Sequence, residues 1–340
     1  MTIRDAMLRS LGLDDLAEPA AARTPFPRAA RERLLACGNP LAAASLADRG
    51  RASASGVEVT HAWTLRVRAP GLVHGLEDPT KVSHAIGDVA GVPATEAEML
   101  GELPPDTPLA LAVELVRSVA AARPDLSLRA LTAREVDAIA TLERRPLGEV
   151  LATLRGAGLS TLSWRPGCGA TPAEISVHRA AHGAGVRTIA TVATSHGRVD
   201  ASFLDRLDAW TELARATGGF LSAMVLPDRT DGASPLVGTS GTEDWTACAL
   251  ARLAFGNLAP KVTVDWHVVG HKLGATMLSC GADDVVGTQA AAAWATPTDD
   301  GPRPLNPDRA RKWIVEARRS PVLRDGLFRV VAAPSGGSGT

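Results

Sequence analysis

VRTIATVATSHGRVDASFLDRLDAWTELARATGGFLSAMVLP, residues 186–227, changes its hydrophobic period twice, and each change has a physical reading. Val186, Ile189 and Val192 sit in a short run of threonines and valines that suits a buried strand, and His196 and Gly197 interrupt it. After Asp200 or Ser202, either an N-cap, apolar residues recur at spacings of three and four: Phe203, Leu204, Leu207, Trp210, Leu213 and Ala214. Gly218 stands where a left-handed C-cap is needed, and Phe220 to Leu226 is a second apolar run stopped by Pro227. The stretch is a β-α-β unit. Its crossover makes the two strands parallel, so the loops that carry His196 and Asp228 open on one side of the sheet.

The remaining chain repeats this alternation. VEVTHAWTLRV (Val57 to Val67) alternates like a strand, whereas Arg68 to Pro108 is broken at Pro70, Pro79, Pro93, Pro104 and Pro105 and reads as a long functional loop or a partly ordered segment. A helix is predicted from Leu109 to Ala122, a strand from Leu126 to Leu131, and a helix capped by Thr132 with Glu135 closing a capping box. Helix Leu147 to Leu154, strand Leu159 to Trp164 and a helix entered at Pro172 follow. Beyond the central unit come a helix from Glu243 to Phe255, strand Val262 to Trp266, helix His271 to Leu278, strand Asp283 to Val286 and helix Asp308 to Ala317. Strands alternating with helices predict an α/β chain and favour a (β/α) barrel over an open doubly wound sheet, two architectures that periodicity alone does not separate. The expected divisions are an N-terminal helical extension over residues 1–56, ending in a flexible join RASASG (Arg51 to Gly56), the barrel over 57–290, a C-terminal helix and closing segment over 291–330, and a flexible tail over 331–340.

Bulk properties narrow the partners. The 340 residues are 45% hydrophobic, with a net charge of -1 and a pI of 6.7, so no general basic field draws nucleic acid or an anionic membrane. The N-terminal MTIRDAMLRSLGLDDLAE lacks the apolar core of a secretory signal, and no apolar run is long enough to cross a bilayer. Cys37, Cys168, Cys248 and Cys280 are far apart and form neither CxxC nor CxxxCxxC. A cytoplasmic setting with free thiols is expected.

Five segments, in order, carry a family resemblance: PDLSLRALTAREVDAIA (Pro124 to Ala140), LRGAGLSTLSWRPGCGA (Leu154 to Ala170), HRAAHGAGVRTIATVATSHG (His178 to Gly197), TGGFLSAMVLP (Thr217 to Pro227) and LARLAFGNLAPKVTVDWHVVGHKLGATMLSCGADDVVGT (Leu250 to Thr288). With the closing EARRSPVLRDGLF (Glu316 to Phe328), they resemble the radical S-adenosylmethionine enzymes around aminofutalosine synthase, dehypoxanthine futalosine cyclase and the FO synthase subunits. The resemblance implies a barrel of the radical SAM type and a place near menaquinone or deazaflavin biosynthesis. It also implies three cysteines in CxxxCxxC after the first barrel strand, to hold a [4Fe-4S] cluster. Here that stretch, APGLVHGLEDPTKVSHA, has no cysteine, and His74 and His84 do not replace three thiolates. No cluster and no resident cofactor are therefore expected. The counterpart of the family's glycine turn is Pro166, Gly167, Cys168, Gly169 and Ala170, where the Cys168 side chain intrudes, so S-adenosylmethionine binding at Gly167 and Gly169 is in doubt.

The candidate site residues each have a second reading. His196 is placed as an acid/base catalyst or as a relic that hydrogen-bonds its loop; Cys168 is a nucleophile activated by it or a small apolar filler. Arg129, Glu135, Asp265 and Trp266 are candidates to bind substrate, although Glu135 also suits its own helix start. His178 and His182 share a helix face, read as solvated rather than metal-binding, and Asp283 and Asp284 take a hydroxylated ligand or cap a turn. The expected function is a cluster-less relative acting as a pseudoenzyme or partner subunit, with a small-molecule ligand or an enzyme of the same pathway as its partner. The alternative is a non-radical enzyme that uses His196 on a small aromatic or nucleoside-like substrate.

Overall fold

A computed structural model describes residues 2–68, 93–100, 103–164, 170–194, 198–226, 241–288 and 307–332. Four helices come first: α1 (Ile3–Ser10), α2 (Ala17–Ala21), α3 (Arg28–Ala36) and α4 (Pro40–Ser55). Prolines start two of them, since Pro27 precedes α3 and Pro40 opens α4, where a missing N–H costs nothing. The expected flexible join at Arg51 to Gly56 is instead the last turn of α4, ended by Gly56 at φ 57°. Arg51 is buried there, pairing with Asp48 and donating to the Gly56 carbonyl, which fixes the turn.

The body alternates strand and helix, with two departures from the periodicity: the stretch read as a loop over 68–108 contains a strand at Glu96–Leu100, and Ser320–Leu323 forms a strand that the sequence pattern does not reveal. Strands β1 (Glu58–His61) and β2 (Thr64–Arg68) form one path interrupted at Ala62 and Trp63, followed by β3 (Glu96–Leu100), α5 (Leu109–Ala122), β4 (Ser127–Ala130), α6 (Ala133–Glu143) and α7 (Leu147–Gly156). Next come β5 (Leu159–Leu162), α8 (Pro172–Gly183), β6 (Thr188–Ala193), α9 (Ala201–Thr217), β7 (Phe220–Leu226) and α10 (Gly241–Phe255). Strand β8 (Lys261–Asp265), α11 (Trp266–Val269), α12 (His271–Met277), β9 (Asp284–Val286), α13 (Pro307–Glu316) and β10 (Ser320–Leu323) complete it. In the central unit Asp200 is the N-cap, accepting from the Phe203 N–H, and Gly218 ends α9 in the left-handed region.

All strand pairings are parallel. One sheet runs β2-β3-β4-β5 and the other β6-β7-β8-β9-β1-β10; the bridge Thr161↔Arg187 joins β5 to β6, and β1 continues into β2. The succession thus returns to its start, a (β/α) barrel with the helices outside. Alternation along β6 and β7 sends Ala190, Val192, Ala223 and Val225 to the helix layer and Ile189, Met224 and Leu226 inward, where they meet Trp164 and Val286.

The helix layer also claims residues that the sequence leaves exposed. The face of α8 read as solvated is packed instead: His178 is buried and lies edge-on to Trp210 at 4.8 Å, and His182 is half-buried and edge-on to Phe220 at the same distance. His182 Nδ1 is 2.6 Å from Thr217 Oγ1, which donates to the Leu213 carbonyl, so His182 donates from Nδ1 and accepts at Nε2 from Thr188. Burial pushes both histidines down, His178 to about 3 and His182 to about 4, so both are neutral packing groups.

Arg324, just beyond the C-terminal end of β10 and bonded through its N–H to the His61 carbonyl, is entirely buried. Its Nε and Nη2 meet the two oxygens of Asp284 at 2.7 and 3.0 Å, Nη1 meets Glu96 at 2.9 Å, and its guanidinium lies 3.7 Å over the Phe328 ring. Thr60 and Thr263 add hydroxyl bonds to Asp284. Asp283 faces the other way, to Arg252, Lys261 and Ser55, so neither aspartate is open to a hydroxylated ligand.

Two substitutions test this packing. Arg324→Met keeps the volume but strands two buried carboxylates, and should cost about 3–5 kcal/mol by urea unfolding; a loss below about 1 kcal/mol would show the pairing to be dispensable. A Cβ at Gly274 on α12 would stand 2.9 Å from Trp266 Nε1. Gly274→Ala should therefore cost about 1–3 kcal/mol in the same assay, while Gly148→Ala, into open space, should not destabilise.

Candidate functional site

Catalytic loops of parallel barrels sit at the C-terminal strand ends, and the inward faces of β2, β3 and β4 lead toward that end. Alternation places Thr64 and Arg66 of β2 on one face, with Glu96 and Glu98 opposite them in register on β3. Thr64 Oγ1 donates to Glu96 at 2.7 Å and Arg66 Nε to Glu98 at 3.1 Å. Arg129 of β4 bridges the two glutamates, 3.2 Å from Glu96 and 3.4 Å from Glu98, and lies 4.0 Å beneath the Trp164 ring. Asp284, Arg324, Glu96, Arg129, Glu98 and Arg66 thus form a run of contacts that alternates in sign. Asp265, at the end of β8, acts electrostatically on Arg66.

Position decides the protonation. Burial favours a neutral Glu96, but the Arg129 and Arg324 guanidiniums outweigh it and, with the Thr64 hydroxyl, hold Glu96 at about 2. Burial likewise opposes the charge on Arg66, and Glu98 and Asp265 more than restore it. His61 is pushed down to about 4 by burial despite Asp284 nearby.

Against this geometry, the sequence candidates separate. His196, Cys168, Gly167 and Gly169 lie outside the described residues. Arg129 faces the interior, but its charge is met by two buried glutamates, so it is an internal tie rather than an open carboxylate clamp. Glu135 forms the capping box with Thr132 and also accepts the Leu103 N–H at 2.8 Å, pinning the segment after β3 to the start of α6. Asp265 is buried and coupled to Arg66 across the barrel. Trp266 turns outward instead, stacking on Trp313 at 4.9 Å in the helix layer, because α11 begins at that residue. Arg66, Glu96, Glu98 and Arg324 escape the sequence reading. For Arg66, Glu96 and Glu98 the signal is charge at alternate positions of a short strand, as in TLRVR and EAEML, which hydrophobicity alone discards; Arg324, beyond β10, has no such local signal.

An iron–sulfur cluster needs clustered thiolates, and the described thiols do not fit one. Cys37 donates to the Leu34 carbonyl at the end of α3, and Cys248 is buried within α10. Burial raises the Cys248 thiol and pushes Cys280 up to about 12, which keeps both protonated. Among the described residues no group of three His, Cys, Asp or Glu side chains is arranged to hold a metal ion. No helix among them is long and apolar enough to cross a membrane.

Comparison with known proteins identifies the lineage. No family model matches the chain. Aminodeoxyfutalosine synthase of Thermus thermophilus is 31% identical over 264 residues, covering 70% of this chain and 69% of that protein. A 5-amino-6-(D-ribitylamino)uracil–L-tyrosine 4-hydroxyphenyl transferase of Methanosarcina mazei is 26% identical, covering 88% and 87%. In structure, methylornithine synthase (PylB) superposes with a TM-score of 0.66 at 13% identity, covering 90% of this chain and 97% of that one. HydG, a maturase of the [FeFe]-hydrogenase, gives 0.63 at 13% identity over 95% and 76%. These likenesses support the (β/α) barrel that the alternating elements predict and the radical SAM type that the family resemblance implies. With the identity and shared length of the Thermus enzyme, the chain belongs to the radical S-adenosylmethionine family of aminodeoxyfutalosine synthase.

Proposed function

We propose that this chain is a family member that keeps the barrel without the radical machinery, and serves as a pseudoenzyme or partner subunit in or near the futalosine route to menaquinone. The observation that carries this reading is the donor set. Residues 69–92, after the first barrel strand, contain no cysteine, and burial keeps the described Cys248 and Cys280 thiols protonated. Three thiolates are what a site-differentiated [4Fe-4S] cluster needs, and one-electron cleavage of S-adenosylmethionine needs that cluster. In this proposal the protein holds no resident cluster and no other cofactor. Its partners are a small molecule of the pathway or a neighbouring enzyme, with no nucleic acid and no membrane insertion.

The interior supports the same reading. Arg66 and Arg129 both pair with Glu98, and Arg129 lies against the Trp164 ring, an internal pairing that suits a scaffold more than a cavity built to bind a reactive cofactor. The choice of pathway rests on the likeness to aminodeoxyfutalosine synthase.

Anaerobic reconstitution of the purified chain with iron and sulfide tests the proposal. Iron well below one equivalent per chain and no visible charge-transfer band are expected. A stoichiometric cluster with a reducible electron-paramagnetic signal would overturn it.

A further inference from the structure

The bridge Thr161↔Arg187 is the one described backbone link between the two sheets on that side, and beyond it no ladder joins β5 to β6. A crevice lies in this gap. Ser163 and Trp164 border it from the end of β5, Thr191 from β6, Glu174 and His178 from α8, and Trp210 from α9. Its empty volume is about 250 Å³, of which the enclosed part has room for about one water molecule.

His178 makes this space chemically specific. The residue is only 8% exposed, its ring is held edge-on by Trp210, and its buried Nδ1 has no hydrogen-bond partner within the protein. An imidazole nitrogen left in that condition has lost its hydration without compensation, which a bound donor or acceptor restores. Glu174 supplies the second polar wall. Its Oε2 accepts from Thr171 N–H and Oγ–H, and its Oε1 lies 3.6 Å from Arg134 Nε. The carboxylate disfavours an anion, and the volume excludes an organic ligand.

We propose that the crevice is a binding site for one ordered water, shared between His178 Nδ1 and the Glu174 carboxylate. Water offers two donors and two acceptors, so it can satisfy a neutral imidazole and a carboxylate together. It ties α8 to the gap between β5 and β6, where backbone pairing is missing. The depressed basicity of His178 agrees, since a neutral ring exchanges hydrogen bonds with water without drawing in a counterion.

A high-resolution crystal structure of the full chain, with imidazole nitrogen shifts of His178 measured on the same protein in solution, provides the test. Expected are water density within hydrogen-bond distance of Nδ1 and a hydrogen-bonded Nδ1 shift. His178→Phe, which keeps the ring but not the nitrogen, should lower Tm by about 2–4 °C, and Glu174→Gln, which retains the capping box, should move the shift. A dry crevice with a non-bonded Nδ1 shift would overturn the proposal, as would a Tm of His178→Phe equal to or above that of the parent. The wild-type measurements decide if the phenylalanine variant fails to fold.

Discussion

Charges placed inside a ring of strands must meet partners there, because the protein interior screens them far less than water. In this barrel that requirement is met by Arg324, which reaches in from beyond β10 to Asp284 on β9 and Glu96 on β3. Arg129 and Arg66 carry the alternation on from Glu96 through Glu98. Replacing such a lattice by apolar side chains could be neutral or even stabilising, so its value is not bulk stability. It enforces register. A one-residue slip of β3 would send Glu96 and Glu98 into the apolar layer formed with α5 and α6, while three arginines lost their partners.

The same constraint explains which parts of the structure are legible in the sequence. Elements with a strong apolar pattern are read nearly to the residue: the striped helix α5 matches Leu109 to Ala122, and the wholly buried strand β7 matches Phe220 to Leu226. Capping chemistry is equally visible, at Thr132 with Glu135 and at Asp200. Strand β3 is not, because EAEML carries acids at two of its five positions and their partners are distant in sequence. Strand β10 is hidden by Pro321, which a position at the sheet edge tolerates.

The candidate site is less legible than the fold for a related reason. Local pattern identifies Glu135 and Arg129 as polar residues near strand ends, but not what they touch. Long-range pairing turns one into a pin for a neighbouring segment and the other into an internal tie. Trp266 shows the opposite error: an aromatic residue at a strand end suggests a pocket, yet the immediate start of α11 rotates it onto Trp313. Family membership then rests on length and identity shared with aminodeoxyfutalosine synthase, while the chemistry that the family implies depends on thiols this chain places elsewhere.

A carboxyl NMR titration of Glu96 tests the buried lattice most directly. The ordinary value of 4.5 falls to about 2 in the folded chain, so the stabilisation from ionised Glu96 is fully present above about 4.5 and is lost as pH falls toward 2. The account predicts a Glu96 resonance that stays in its ionised position as pH is lowered through 4.5, moving only near 2 or on unfolding. A Glu96 carboxyl that titrates near 4.5 in the folded protein would contradict the lattice and the register it imposes.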